Sequence, residues 1–127
     1  MTDVAPPVGR EGPPAAFVRP EVLKQRADFI AASHATRAGT PAFHLQARNR
    51  GDGGGVRVGF TCSKKVGNAV ARNRAKRRLR EIARLVLPRH GRAGWDYVLI
   101  GRRDVTASHD FAAMQEDLIA ALDRVHK

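Results

Sequence analysis

Between Lys64 and Arg84 the chain places nine Lys and Arg residues against a single acid, Glu81, and spaces them with the period of a helix. Asn68 is a good cap for a helix running from about Ala69 to Leu87, with Pro88 and Gly91 to stop it. At 100° per residue, Ala71, Ala75, Leu79, Ile82 and Val86 fall on one narrow apolar arc. Such a helix must lie on an apolar surface, and a sheet is the natural one. Asn73, Lys76, Arg77, Arg80 and Arg84 fall on a second arc, about 100° wide, that must face outward. Like charges at i,i+4 weaken a helix, so a face built only for solubility would interleave acids. A polyphosphate partner reverses the penalty and releases counterions on binding.

The whole chain reinforces this reading. Its formal charge is +11, of which the Lys64–Arg84 segment holds +8. A balance so far from neutral costs self-repulsion that a polyanion offsets. The helix is too amphipathic for a continuous basic region in a groove, and no heptad, helix-turn-helix spacing or zinc-finger pattern accompanies it. Electrostatics alone does not separate RNA from DNA.

An apolar share of 43% in 127 residues supports one globular domain. Residues 1–20 hold five of the seven prolines and read as a flexible tail, leaving residues 21–127 as the single folded domain. Glu21 to about His34 has a helical pattern, with Leu23, Ala27, Ile30 and Ala31 on one stripe and Phe29 on another face; Gly39 and Pro41 end it. Phe43–Arg48 and Val56–Cys62 alternate as strands, and Gly51–Gly55 suits a turn between antiparallel neighbours. Tyr97–Ile100 reads as a central strand, and Phe111, Met114, Leu118, Ala121, Leu122 and Val125 as the apolar side of a last helix opened by Ser108 or Asp110. The expected order is helix, two strands, helix, strand, helix around one sheet. Cys62, the only cysteine, shares parity with Val56, Val58 and Phe60, which makes it a core side chain rather than a reactive thiol. The apolar runs are too short to span a bilayer, and the chain's start lacks a charged segment leading into an apolar one. A reduced, cytoplasmic location is the expectation.

The string Lys64, Lys65, Gly67, Ala69, Val70, Arg72, Asn73, Arg74, Lys76, Arg77, Arg80, Glu81 resembles the hallmark of one family, the protein component of bacterial ribonuclease P. Arg57–Phe60, Leu23–Phe29 and Asp96–Arg102 are similar to it as well, so the resemblance runs from about residue 22 to about residue 120. It implies an α+β fold, an αββαβα two-layer sandwich shared with certain ribosomal-protein domains, with a left-handed β-α-β crossover against the general rule. The implied function is that of a subunit of an endoribonuclease that removes the 5′ leader of precursor tRNA. Hydrolysis belongs to the RNA subunit with Mg²⁺, and no catalytic or metal-binding side chain is implied for the protein. The implied partners are the ribonuclease P RNA, in a 1:1 complex with a monomeric protein, and precursor tRNA. Lys64, Lys65, Arg72, Asn73, Arg74, Lys76, Arg77 and Arg80 match the family's RNA-binding positions, and Arg84 extends the same helix face.

Phe29 matches an aromatic in the family's leader-binding cleft, and Thr61 a small polar residue of that cleft. Two positions depart from the family. Ser33 stands where many relatives have a second aromatic, and Gln46 lies near a frequent tyrosine. With fewer stacking surfaces, this cleft either grips the leader less tightly or uses His44 and Gln46 as hydrogen-bonding groups. A structural rRNA-binding protein of the ribosome is the alternative, since it would share charge and fold type. A protein enzyme working through His34, His44, His90, His109 and His126 is a weaker one, because their spacing suggests no acid–base pair or metal site.

Overall fold

Tyr97–Ile100 takes the central position that a nearly unbroken apolar run demands, because only a strand covered on both faces can bury it. The computed structural model describes residues 20–126 except Lys64 and Val66. All but the last residue of the proposed tail, and Lys64 of the basic string, therefore lie outside the described residues. Along the chain come β1 (Glu21–Val22), α1 (Arg26–Ser33), β2 (Thr36–Gly39), β3 (Phe43–Asn49), β4 (Arg57–Thr61), α2 (Ala69–His90), β5 (Trp95–Gly101) and α3 (Phe111–Val125). The sheet order is β1-β4-β5-β3-β2, with β1, β4 and β5 mutually parallel and β3 antiparallel to both β5 and β2. The expected αββαβα order is present, with β1 and β2 added as short edge strands.

Strand parity divides the sheet into two faces. Phe43, Leu45, Ala47, Val58, Tyr97 and Leu99 point to one side and form the main core with α2 and α3. From α2 this core takes Leu79, Ile82, Ala83, Val86 and Leu87; from α3 it takes Met114, Leu118, Ala121, Leu122 and Val125. Both helices begin on side-chain caps: Ala71 N–H donates to Asn68 Oδ1 and Ala113 N–H to Asp110 Oδ2, each at 2.9 Å. Each such cap stabilises its helix by about 1 kcal/mol. Pro88 sits inside the last turn of α2, which runs three residues past the expected end at Leu87. That near the terminus, the missing N–H removes a single hydrogen bond.

Two sequence expectations are corrected here. Glu21 and Val22 are strand, not helix, because Glu21 N–H donates to Val56 O (3.0 Å) and Leu23 N–H to Val58 O (2.8 Å). With the helix starting at Arg26, the stripe Leu23–Ala27–Ile30–Ala31 does not exist. Ala27 and Ile30 are exposed, and α1 turns Asp28, Phe29 and Ala32 toward the sheet instead. Gly51–Gly55 does not join neighbouring strands either, since β5 lies between β3 and β4. The connection instead spans the end of β5. Arg50 N–H donates to Gly94 O (2.8 Å), and the Arg50 guanidinium donates to Trp95 O (3.0 Å), Gly55 O (2.8 Å) and Asp96 Oδ1 (2.6 Å). Gly51 (φ 68°) and Gly53 (φ 73°) supply the left-handed backbone that lets the loop turn this tightly.

Candidate nucleic-acid interface

The outer side of α2 carries the predicted cationic face. Asn73, Arg74, Arg77, Arg80 and Arg84 are exposed, while Arg72 and Lys76 are half-buried. Arg72, Asn73 and Lys76 join Cys62 and Ala69 around a recess of about 140 Å³ where β4 leads into the helix. Burial pushes the Cys62 thiol up, against the pull of a hydrogen bond and the nearby cations, so the thiolate needed for reactivity is disfavoured. Arg84 is paired with Glu81, one turn away on the same face, which raises the arginine and lowers the acid. Lys65 is exposed at the entry to the helix.

Arg78 lies in the middle of this string and has a different job. Its Nε donates to Thr106 O (3.0 Å), its second nitrogen to His109 O, and its guanidinium lies 5.5 Å from the Phe111 ring centroid. It ties the segment before α3 to α2.

The opposite sheet face is laid out in ranks across β3, β5 and β4: His44–Ile100–Thr61, then Gln46–Val98–Gly59, then Arg48–Asp96–Arg57. Helix α1 covers only part of this face. Its Phe29 and Ala32 form a second, small core with Leu23, Val98 and Ile100. Phe29 is thus half-buried and packed on the sheet. Its ring lies so close over Gly59 that a Cβ there would come within 2.5 Å of it and 3.1 Å of Leu23 Cδ1. Glycine at that position is what admits the aromatic. His44, Gln46 and Thr61 share this face with Phe29, so the four predicted cleft residues are brought together. Ser33, at the helix end, spends its hydroxyl on Ile30 O (2.6 Å).

Beyond the His44 rank lies a pocket of about 710 Å³. His44, Ser63, Lys65, Arg102 and Arg103 contribute to its walls, giving three cations and no acid among its described lining. Arg102 is held in place by donating to Thr40 O at 2.7 Å. Sequence reasoning missed Arg102 and Arg103 as site residues. The available signal was a basic pair directly after the central apolar strand, whose end meets the end of β4 only in the fold.

A second omission is the charge cluster beneath α1. Asp96 is fully buried and accepts from Arg57 Nε (2.7 Å), Arg57 Nη2 (2.8 Å) and Arg50 Nη1 (2.6 Å), with Arg48 Nη1 at 3.6 Å. Burial alone would raise this carboxyl. The hydrogen bonds from Arg57 and Arg50 outweigh it and hold the group below its ordinary value. The same arginines reach Asp28 on α1, Arg57 at 3.3 Å and Arg48 at 3.7 Å, and so pin the helix that carries Phe29.

The histidines are dispersed. His34, His44 and His90 are exposed, and His109 lies 3.8 Å from Asp117. His126 Nε2 is 2.7 Å from the Tyr97 hydroxyl, which also accepts from Arg92 N–H (2.9 Å). Burial pushes Tyr97 up to about 12 and His126 down, the latter aided by Arg92. This is a packing arrangement at the end of α3, with the His126 ring edge-on to Trp95. Among the described residues no group of three or more His, Cys, Asp or Glu is placed to hold a metal ion, and no helix is long and apolar enough to cross a membrane.

Comparison with known proteins identifies the family. The Ribonuclease P family model matches residues 17–126. The ribonuclease P protein component of Ruegeria pomeroyi is 62% identical over 107 residues, covering 83% of this chain and 86% of its own. That of Erythrobacter litoralis is 44% identical over 109 residues, covering 86% and 88%. The fold is similar to the RNase P protein of Thermotoga maritima, with a TM-score of 0.66 at 30% identity over 83% of this chain and 97% of that one. The Staphylococcus aureus RNase P protein gives a TM-score of 0.66 at 27% identity, covering 81% and 93%. These matches favour the ribonuclease P reading over the ribosomal alternative. By sequence over nearly all of the described residues, and by fold, the chain belongs to the ribonuclease P protein family.

Proposed function

We propose that this chain binds the catalytic RNA of ribonuclease P through the outer face of α2, and the single-stranded 5′ leader of precursor tRNA through the cleft beside α1. The observation that carries this reading is the separation of the two surfaces on opposite sides of one sheet. Arg72, Asn73, Arg74, Lys76, Arg77, Arg80 and Arg84 form a phosphate-binding face on α2, with Lys64 and Lys65 preceding it. Phe29 offers a stacking or packing surface to an unpaired base. His44, Gln46 and Thr61 offer hydrogen bonds, and Arg102 and Arg103 extend the cleft toward the leader's phosphates. Contacts to unpaired bases suit RNA, whose single strands are read by stacking, better than duplex DNA. The protein acts in the cytoplasm as a monomer in a 1:1 complex with its RNA.

Hydrolysis is assigned to the RNA subunit. The Mg²⁺ of the reaction is assigned to the RNA and the substrate. The protein's part is to fix the leader and neutralise phosphate charge. Mixing the chain with a bacterial ribonuclease P RNA, precursor tRNA and Mg²⁺ tests this: the complex should release the leader, and the protein alone should cleave nothing. Mg²⁺-dependent processing by RNA-free protein would refute it.

A further inference from the structure

One apolar groove lies on the border of the cationic face: it shares Arg80 and Arg84 with that face, while its apolar walls belong to neither surface described above. It runs between the β1–β4 edge of the sheet and the outer side of α2, with a volume of about 320 Å³. Val22, Val58, Phe60 and Ala83 contribute its apolar walls, and Arg80 and Arg84 its rim. Val22 is 51% exposed although it belongs to a strand, and Phe60 is only partly covered by the main core. The Arg80 guanidinium carbon stands 5.7 Å from the Phe60 ring centroid, within range of a cation–π contact. A solvent-facing aromatic under an arginine, open beside a phosphate-binding helix, combines an apolar slot with anion-binding groups at its mouth.

We propose that this groove takes an unpaired nucleobase extruded from the partner RNA. The base lies against Phe60 and Val22 with the Arg80 guanidinium over it, and its flanking phosphates meet Arg84 and Arg77. The inference rests on the reading that α2 faces RNA. A nucleotide is the group whose chemistry matches: a flat apolar ring attached to negative charge, of a size for a slot too small to seat a helix. An apolar protein segment brings no negative charge to meet the two arginines.

The test uses the full chain and three RNA stems: one with a single bulged 2-aminopurine, one with an abasic bulge, and one fully paired. The bulged base should be quenched on binding. Its stem should bind about 5- to 150-fold tighter than the abasic one, the range that base–aromatic stacking spans. Val22→Trp, which fills the slot from an exposed position, and Phe60→Leu, which keeps apolar bulk but removes the aromatic face, should each abolish that preference. Affinity for the fully paired stem should stay unchanged. Equal binding of base and abasic bulges, or a preference that survives both variants, overturns the proposal while leaving the RNA-facing reading intact. Failure of all three stems to bind at low salt overturns that reading too. If the free chain sediments as a dimer that Val22→Trp dissociates, the slot is an interface between copies and the proposal is wrong.

Discussion

Phe29 sits over Gly59 because no other residue leaves room for its ring, which makes two single substitutions comparable. Phe29→Ala removes the aromatic surface and should weaken holoenzyme binding of precursor tRNA by about 1–3 kcal/mol, with mature tRNA, which has no leader, unaffected. Gly59→Ala should displace the ring, cost about 1–3 kcal/mol of stability through overpacking, and lower the same leader-dependent affinity. Paired titrations with and without a leader check both; equal losses on mature tRNA would refute the cleft assignment. Neighbouring arginines on α2 should separate as sharply. Arg77→Ala should leave the unfolding midpoint in place and weaken binding to the catalytic RNA. Arg78→Ala breaks the bonds to Thr106 O and His109 O and should cost about 2–3 kcal/mol of stability. Urea unfolding set beside RNA titration distinguishes the two. The helical wheel excluded Arg78 from the cationic arc, but only the contact with the segment before α3 reveals what it does.

At the level of elements, α1 is the part most dependent on charge. It is eight residues long and buries little apolar surface, so its tether to the sheet through Asp28, Arg57 and Arg48 sets its position. Asp96 anchors those arginines, and its carboxyl is held below the ordinary value in the fold. A depressed acid contributes stability that is present above its unfolded value, about pH 3.9, and is lost as pH falls through the folded value. Asp96→Asn should therefore cost about 2–3 kcal/mol near pH 7, because Arg57 and Arg50 lose charge-assisted hydrogen bonds to a buried carboxylate while keeping their contacts to Asp28 and to Trp95 O and Gly55 O. The deficit should shrink once the medium is more acidic than about pH 4. Urea unfolding of both proteins across that range is the measurement, and a pH-independent difference would contradict it. None of this was legible from spacing, because Asp28, Arg48, Arg57 and Asp96 lie on four separate elements. The edge strands escaped notice for a related reason. Thr36–Gly39 has one buried side chain, Ala38, and Glu21–Val22 has none, so neither shows alternation, and both exist through backbone pairing to distant strands.

For the molecule as a whole, the proposed phosphate contacts make association depend on charge. If RNA neutralises about 6–10 phosphates' worth of charge on α2 and around it, affinity should fall by about 10³–10⁵ between 50 and 200 mM salt. A nearly flat plot of log affinity against log salt would rule out a phosphate-dominated interface. Arg77→Ala combined with Arg80→Ala should reduce the slope, since each lost phosphate contact removes about one counterion from the balance. The sequence by itself determined the two-faced helix, the central strand, the last helix and the basic character of the outward side of α2. Those features depend on residues within one element, where periodicity reports directly which side is buried. The tertiary structure alone decided that β5 separates β3 from β4, that α1 begins at Arg26 and turns Phe29 onto Gly59, and that Arg102 and Arg103 meet Lys65 around one pocket. Each of these follows from pairing and packing between segments far apart in the chain, where the energy comes from contacts that local spacing does not record.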